Sequence, residues 1–476
     1  MSKHTYIALL FQKMVLLMTK LFGTNGIRGV VNEDMTGELA LSMGKAIGSY
    51  LRKTRDKPSV AIGTDARVSN NMLKTACTSG LLSVGCDVVD LGILPTPTLQ
   101  FAVKEKDFDA GVIITASHNP PEFNGIKVID GDGTELAKDQ EEEIEGIYFS
   151  KNIEKTPWNM VGGFSQWDGA IDLYKKSILS HVDVDVIRNA RLRVVLDCGN
   201  GAGCFVAPSL LKELGCDVRE LNCEPDGFFK GRPSEPVPEN LKELMKKVPE
   251  ENAVFGVAQD GDADRAIFVD EKGNFVFGDK SFALVAKYVV RQNKGGKVVT
   301  PVSTSSCLEE VVRAEGGEVI YTAVGSPIVA RVMKKVNAVF GGEENGGLIF
   351  PEHQYCRDSA MTFAKMLELL AFEKKPLSEL IDELPKYEVV KLKTRCPNDK
   401  KSQVMERLSE IVADESEVER IDRTDGVKIY TKNGWVLVRP SGTEPIFRVF
   451  AESKSKAVAE ELASRYKKKV DEVVQH

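Results

Sequence analysis

The chain has 476 residues, of which 42% are hydrophobic and 28% are charged, so its composition is that of a globular protein and not of a disordered one. At roughly 150 residues per domain, this length predicts about three domains. The net charge of −7 argues against a nucleic-acid-binding protein, which normally carries a basic excess. Nine cysteines without CxxC pairs indicate free thiols in a reducing compartment, so we expect a cytoplasmic protein without disulfides or zinc.

The first apolar stretch, TYIALLFQKMVLLM, covers residues 5–18. It is too short for a transmembrane helix, is interrupted by Gln12 and Lys13, and has no cleavage site of small residues after it. We therefore expect residues 1–19 to be an N-terminal extension, and neither a membrane anchor nor a secretory signal.

Three segments further along the chain share one pattern of a β-rich run, a loop of small residues, an amphipathic helix, a glycine and a second β-rich run. They are residues 59–92, 192–222 and 296–325. The pattern is that of a βαβ unit, whose two strands are parallel and joined by a right-handed crossover. The glycines fit the C-terminal caps of the three helices, at positions 85, 215 and 316–317.

The pattern changes near residue 385. A predicted helix over residues 401–412 is followed by a hairpin, DGVKIYTKNGWVLV, with Lys432, Asn433 and Gly434 at its turn, then by a strand and a charged helix. The predicted fold class is therefore α/β, with three consecutive similar domains that contain mixed sheets and a C-terminal α+β domain. The predicted boundaries give domains of residues 20–170, 171–275, 276–384 and 385–476.

The segment GVIITASHNPPEFNGIK covers residues 111–127 of the first domain. It begins with a strand-like run that ends at Ser117, and His118 follows directly. The adjacent Ser and His suggest a hydrolase, but the GxSxG motif is absent, and a base rarely neighbours its nucleophile in sequence. Pro120 and Pro121 keep the segment out of a helix. Ligands of open α/β sheets bind beyond the carboxyl ends of strands, where Ser117 stands, although a serine that merely ends a strand is the simpler interpretation of this stretch by itself.

A second strand ends in QDGDADR, which places Asp260, Asp262 and Asp264 at alternate positions. Three carboxylates offer the hard oxygen ligands that Mg²⁺ or Ca²⁺ prefers. An EF-hand is disfavoured because Arg265 stands where its glycine would be and predicted strands, not helices, flank the loop, and a solvated acidic turn is the other interpretation. Mg²⁺ with few protein ligands completes its shell with phosphate oxygens, which a phosphorylated Ser117 would supply.

Two further loops have the composition of ligand-binding sites. GGEENGG places Glu343 and Asn345 where they can bind sugar hydroxyls. RPSGTEP and the strand after it offer guanidinium groups, hydroxyls and backbone N–H groups that suit a phosphate monoester, from Arg439, Ser441, Gly442, Thr443 and Arg448. Each loop alone is weak evidence, since polar glycine-rich turns are common.

Together the motifs LFGTNGIRG, TASHNP, DGDADR, GEENGG and RPSGTEP resemble those of the α-D-phosphohexomutase family, in the same order, from Leu21 onward. The resemblance implies that Ser117 is a phosphoserine and that, with Asp260, Asp262 and Asp264, it binds Mg²⁺. It also implies a transfer site lined by Arg28, His118, Lys127 and Arg265, with Lys127 as a candidate proton shuttle. Glu343 and Asn345 would bind the sugar, and residues 439–448 would bind the non-reacting phosphate.

The same resemblance implies a reaction. Family members interconvert hexose 6-phosphates and hexose 1-phosphates through a bisphosphate, with a hexose 1,6-bisphosphate as primer, and they close a mobile fourth domain over the sugar. We expect phosphosugars as the partners, with no nucleic acid and no membrane, and leave the oligomeric state undecided. Phosphoglucosamine mutase is the first choice and phosphomannomutase/phosphoglucomutase the second. Two less favoured hypotheses are a non-catalytic phosphosugar-binding protein and a Mg²⁺ phosphatase with an aspartate nucleophile.

Four positions, in two loops, depart from the common pattern of this family. Many relatives have serine at the position of Asn345 and histidine at that of Gly347, so no acid–base role is expected at position 347. The loop TAVGSPIVA differs from the commoner VGD form at Ser326 and Pro327. These variants resemble the archaeal branch of the family, in which activities on glucosamine, mannose and glucose phosphates overlap.

Overall fold

The computed structural model describes residues 21–23, 25–153, 155–413, 415–441 and 444–475. The expected extension, residues 1–19, lies outside the described residues, and so do Gly442 and Thr443 of the expected phosphate loop. Within the described part of the chain, no helix combines the length and the apolar composition needed to cross a bilayer.

The first domain contains a mixed sheet of six strands. The strands are β1 (Ile27–Val30), β2 (Ser59–Thr64), β3 (Asp87–Ile93), β4 (Ala110–Ile114), β5 (Phe123–Asp130) and β6 (Phe164–Gln166). The helices are α1 (Gly37–Leu51), α2 (Asn70–Ser83), α3 (Thr96–Glu105) and α4 (Lys138–Ser150). The sheet order is β1-β5-β4-β2-β3-β6, in which the last four strands are parallel and β5 and β1 are antiparallel to their neighbours.

The second domain repeats this plan on a smaller scale. Its helices are α5 (Ala170–Ser180), α6 (Val184–Ala190), α7 (Ala207–Glu213) and α8 (Lys242–Glu250). Its strands are β7 (Arg193–Asp197), β8 (Asp217–Leu221), β9 (Phe255–Gln259), β10 (Ala266–Asp270) and β11 (Phe275–Val276), in the order β11-β10-β9-β7-β8. Strands β7, β8 and β9 are parallel, whereas β10 returns antiparallel to β9.

The third domain has a four-stranded sheet. Its helices are α9 (Gly278–Gln292), α10 (Ser306–Ala314), α11 (Ser326–Val336), α12 (Ser359–Glu373) and α13 (Leu377–Asp382). Its strands are β12 (Gly296–Pro301), β13 (Gly317–Thr322), β14 (Phe340–Glu343) and β15 (Gly347–Ile349), in the order β13-β12-β14-β15. A continuous apolar core joins it to the second domain and includes Phe255, Phe282 and Phe340, all fully buried.

The fourth domain is an antiparallel sheet with helices. Its strands are β16 (Glu388–Arg395), β17 (Val418–Asp422), β18 (Val427–Thr431), β19 (Gly434–Pro440) and β20 (Ile446–Ser453), in the order β16-β20-β19-β18-β17. The helices are α14 (Lys401–Ala413) and α15 (Lys456–Gln475). The predicted hairpin is present, but Thr431 pairs with Gly434, so its turn consists of Lys432 and Asn433 and Gly434 begins β19.

The three predicted βαβ units are confirmed. Strand β2 is parallel to β3, β7 to β8 and β12 to β13. Gly85, Gly215 and Gly316 follow the intervening helices with φ of 88°, 80° and 78°, a left-handed conformation that costs glycine little. The predicted fold class is thus correct, and it places the ends of β4, β9 and β14 where ligands of α/β sheets bind.

Candidate active site

Ser117 lies in the loop between β4 and β5 and is fully buried. Its backbone has φ of 51°, a left-handed conformation that costs a residue with a side chain about 1–2 kcal/mol. Its Oγ donates a hydrogen bond to Asp260 Oδ2 at 2.9 Å. The loop therefore holds this hydroxyl in an unfavourable backbone conformation, directed at the aspartate loop of the second domain.

The guanidinium of Arg67 holds the Ser117 loop in this shape. Its Nη atoms donate hydrogen bonds to four carbonyl oxygens, of Ser117, Asn119, Pro120 and Phe123, at 2.6–2.9 Å. Its Nε donates to Asp65 Oδ2 at 3.1 Å. Arg67 was not among the residues expected from sequence, although Asp65 and Arg67 directly follow β2, whose end neighbours that of β4.

Asp65 completes this support. Thr115 Oγ1 donates to Asp65 Oδ2 at 2.7 Å and accepts a hydrogen bond from the Ser117 amide at 2.9 Å. The backbone on both sides of Ser117 is therefore connected to one buried ion pair.

The three aspartates lie together, as their spacing predicts. Each provides a carboxylate oxygen that lies within 4.8 Å of the others, and all three residues are buried. Asp262 Oδ1 and Asp264 Oδ1 have no hydrogen-bond partner among the described residues. Two unpartnered buried carboxylate oxygens beside a serine hydroxyl are a donor set that fits Mg²⁺. An EF-hand is ruled out here because strands β9 and β10 flank the loop.

The charges around the aspartates differ from one carboxylate to the next. Burial and the carboxylates of Asp264 and Asp262 raise the pKa of Asp260 above its usual range. Burial acts on Asp262 in the same sense, but the ammonium of Lys127, whose Nζ lies 2.7 Å from Asp262 Oδ2, holds the pKa of Asp262 well below it. Thr96 Oγ1 donates to the same oxygen at 2.6 Å, so the first domain contributes two groups to the aspartate loop.

A glycine allows the two loops to approach closely. A Cβ atom on Gly261 would lie 2.4 Å from the carbonyl oxygen of Ser117, closer than any side chain tolerates. The glycine of DGDADR is therefore required by the contact between the first two domains.

Three side chains with ring or guanidinium nitrogens lie beside the Ser117 loop and the aspartate loop, on the side that faces the cavity. Arg28 donates to Asn119 Oδ1 at 2.9 Å, and Arg265 Nε lies 3.7 Å from both Asp260 and Asp264. Burial and the charges of Arg265 and Arg28 lower the pKa of His118 far below its ordinary value. Arg28 Nε, His118 Nδ1 and Arg265 Nε are buried and have no hydrogen-bond partner in the described ranges, an arrangement that an anionic ligand would satisfy.

Glu343 and Asn345 lie in the hairpin between β14 and β15, at the end of the third domain's sheet. Glu343 is buried and accepts a hydrogen bond from Arg357 Nη1 at 2.8 Å. Asn345 is half-buried, and its Oδ1 accepts from the amide of Gly347 at 3.1 Å. Arg357 was not expected from sequence, since the motif gives no signal for a residue ten positions further along the chain.

The phosphate loop is built on β19 and β20. Arg439 and Arg448 are directly opposite each other in the two strands. Arg439 Nη2 lies 3.1 Å from Asp425 Oδ2, which also accepts a hydrogen bond from the Val324 amide of the third domain at 3.0 Å. Ser441 is buried and accepts from the Glu444 amide. Asp425 thus connects the loop to the neighbouring domain.

The loops meet around a cavity of about 630 Å³. Its lining includes residues from all four domains, namely Arg28, His118, Arg265, Glu343, Asn345, Arg357, Arg439, Ser441 and Arg448. Ser117, Lys127 and the three aspartates are fully buried or nearly so, and the lining residues Arg28, His118 and Arg265 lie next to them. The variant residue Ser326 also lines the cavity, and its Oγ donates to Glu135 and accepts from Asn25, which joins the third domain to the first.

The cavity thus has a hydroxyl and carboxylate cluster at one end and a cationic loop at the other. Models of the phosphoglucomutase/phosphomannomutase family match almost the whole chain. Its α/β/α domains I, II and III match residues 19–155, 172–273 and 277–387, and its C-terminal domain matches residues 392–469.

Individual proteins agree with the family models. A phosphoglucomutase/phosphomannomutase of Thermococcus kodakarensis is 49% identical over 93% of this chain and 97% of its own length. A protein named probable phosphoglucosamine mutase, from Methanopyrus kandleri, is 46% identical over 94% of this chain and 97% of its own. The crystal structure of a phosphoglucomutase/phosphomannomutase family protein from Burkholderia thailandensis superposes with a TM-score of 0.86 at 28% identity, over 95% of this chain and 97% of that one. The chain belongs to the phosphoglucomutase/phosphomannomutase family. It is a phosphohexomutase, an isomerase that moves a phosphoryl group between two positions of a sugar.

Proposed function

We propose that this phosphohexomutase interconverts hexose 6-phosphates and hexose 1-phosphates, with Ser117 as the residue that donates and recovers the phosphoryl group. The observation that carries this assignment is the position of Ser117 Oγ, 2.9 Å from Asp260, in a loop that Arg67 holds in a strained conformation. Three carboxylates beside the hydroxyl would repel an anionic phosphoryl group unless a metal ion neutralised their charge. Mg²⁺ held by Asp260, Asp262 and Asp264 would neutralise charge on the phosphoryl group in the transition state.

The remaining side chains have separate tasks in this proposal. The unpartnered nitrogens of Arg28, His118 and Arg265 bind the phosphoryl oxygens at the serine end. Lys127 holds Asp262 ionised by its close contact and remains the candidate for proton transfer, because it is the ammonium beside the aspartates.

At the other end of the cavity, the cationic loop binds the phosphate that does not react. Arg439, Ser441 and Arg448 line this end, and their domain contacts the third domain through Asp425 and Val324. One phosphate site at a fixed distance from Ser117 explains how the same enzyme treats both ends of the sugar. The bisphosphate turns over between two half-reactions, so that each phosphate in turn occupies the loop.

For the sugar, we propose glucosamine phosphate as the preferred substrate. In support, the 46% identical relative from Methanopyrus kandleri is named for this sugar. Glucose and mannose phosphates are the second choice, favoured by the 49% identical relative from Thermococcus kodakarensis, which is named for both. A cytoplasmic location is part of this proposal, as the free cysteines and the metabolic role suggest.

The test is an assay of the purified protein with Mg²⁺ and a hexose 1,6-bisphosphate primer. The 6-phosphates of glucosamine, mannose and glucose are compared by kcat/KM, and a value for glucosamine 6-phosphate below the other two would contradict the proposed preference. Release of free phosphate without isomerisation would favour a phosphatase instead.

A Ser117→Ala variant tests the role of the hydroxyl. It should lose turnover, keep substrate binding within a few-fold of the wild type, and lack the mass of one phosphoryl group that the primed wild type carries. Ser209→Ala serves as the matched control, because Ser209 lies on α7 and donates to the Val206 carbonyl of its own helix region. Turnover at the wild-type rate in Ser117→Ala would refute the assignment.

A further inference from the structure

Arg357 joins the aspartate loop to the sugar loop. Its Nη1 donates to Glu343 Oε2 at 2.8 Å and its Nη2 donates to Asp264 Oδ2 at 2.5 Å. Arg357 is 6% exposed, and it lines the cavity. Glu343 belongs to the third domain and Asp264 to the second, so one planar guanidinium fixes the distance between two loops of different domains.

Gly347 leaves the space that Arg357 occupies. A Cβ atom at position 347 would lie 2.2 Å from Cδ of Arg357 and 2.9 Å from its Cγ. Gly347 pairs with Glu343 across the hairpin. The backbone of Arg357 pairs with Ile349, which is two residues after Gly347 in β15. The aliphatic stem of Arg357 therefore passes over Gly347 to reach Glu343. The absence of a side chain at 347 and the presence of arginine at 357 are two parts of one arrangement.

The contacts leave each carboxylate with a defined role. Arg357 donates to Oδ2 of Asp264, whereas Oδ1 of Asp264 is buried, has no hydrogen-bond partner within the described segments and lies 3.7 Å from Arg265 Nε. Glu343 is held by the same guanidinium, so its carboxylate has one orientation relative to the cavity. Lysine cannot reproduce this, since a single ammonium lacks the rigid fork that holds two carboxylates.

We propose that Arg357 is a positioning residue of the mutase reaction, which orients Glu343 toward the sugar and leaves one oxygen of Asp264 for the metal, and that Gly347 is required to admit it. This inference rests on the proposed function. Loss of a hydrogen bond to a charged group changes a binding constant by a factor of roughly ten to one hundred. Arg357→Ala should therefore raise the KM for the phosphosugar by about that factor, with a smaller change in kcat.

The effect on the metal has the opposite sign. Arg357 is a cation in contact with Asp264, and it therefore competes electrostatically with Mg²⁺. Arg357→Ala should bind Mg²⁺ or Mn²⁺ several-fold more tightly in a titration without substrate. A variant that merely loosens the fold would weaken both sugar and metal, so the opposite changes distinguish positioning from general disruption.

Three further variants and a control complete the test. Gly347→Ala pushes against the Arg357 stem and should raise the KM about as much as Arg357→Ala, whereas the double variant should be no worse than Arg357→Ala alone. Arg357→Lys should recover only part of the loss. The matched control is Arg291→Met, which also removes an arginine that joins two carboxylates of the third domain, Glu315 and Glu373, and should leave KM and metal affinity unchanged.

The inference is overturned if Arg357→Ala keeps the KM and metal affinity of the wild type, or if the effects of the two single variants multiply in the double variant. If Arg357→Ala does not fold, Gly347→Ala and Arg357→Lys decide by the same two measurements. A wild-type protein that shows no mutase turnover on any of the three sugar phosphates contradicts the proposed function instead, so the two failures are separable.

Discussion

Arg67 supports the Ser117 loop, and from this role we predict the effects of the variant Arg67→Met quantitatively. The side chain of Arg67 is fully buried and donates to Asp65 and to four carbonyl oxygens of the loop. Methionine keeps the aliphatic packing but leaves the Asp65 carboxylate without its cation. Removal of one partner from a buried ion pair typically costs about 3–5 kcal/mol of the free energy of unfolding.

A second contribution comes from the backbone of Ser117. Its left-handed conformation is unfavourable by about 1–2 kcal/mol, and hydrogen bonds from Arg67 to carbonyls of the same loop oppose the relaxation of this strain. Without these bonds the loop should move to an ordinary conformation, which displaces Oγ from Asp260. Turnover should then fall by more than about a hundredfold, since small misplacements of a reacting group have effects of that size.

Urea unfolding and steady-state turnover measure the two effects separately. The expected results for Arg67→Met are a free energy of unfolding lower by about 3–5 kcal/mol and turnover close to zero at temperatures where the protein is still folded. Arg193→Met is the control, because Arg193 pairs with Asp217 at the surface and should cost less than about 1 kcal/mol. The reasoning is refuted if Arg67→Met has wild-type turnover and a free energy of unfolding within about 1 kcal/mol of the wild type.

Three other predictions concern the metal, the phosphate loop and the domain contact. Removal of divalent ions with EDTA should abolish turnover, MgCl₂ should restore it, and Asp262→Asn should weaken Mn²⁺ binding at least about tenfold in a titration, because a ligand charge is lost. Asp425→Ala removes the carboxylate that positions Arg439, and it should raise the KM for the phosphosugar roughly threefold to tenfold with little change in kcat. An unchanged KM would exclude a role of Asp425 in positioning Arg439. Burial lowers the pKa of Lys428 to about 8, and its Nζ contacts the Val302 carbonyl of the third domain. The unfolded chain therefore holds one more proton between about pH 8 and 10, so the free energy of unfolding should rise with pH there by up to about 1.4 kcal/mol per unit, and Lys428→Met should remove this part of the slope.

Much of the site was predictable from sequence because its loops follow strands. The apolar runs that end at Ser117, at Gln259 and at Glu343 identify strand ends, and ligands of α/β sheets bind beyond such ends. These strands belong to three different sheets, so the sequence predicted each motif at a ligand-binding edge, and the packing of the domains brought the motifs together. The cavity contains residues of every motif that was identified, although the roles of the individual side chains remain predictions.

Sequence by itself determined the class of fold and the order of its elements, since periodicity and turn residues are local properties of the chain, and its motifs identified the loops that line the cavity. Only the tertiary structure decided which cations hold these loops. Arg67 reaches carbonyls 50 to 56 positions away, and Arg357 reaches Asp264 across 93 positions, from a segment without any motif. The direction of a long side chain depends on how whole domains pack, and the space over Gly347 exists only in the folded protein. Such contacts have no period and no fixed spacing along the chain, so no pattern of residues predicts them.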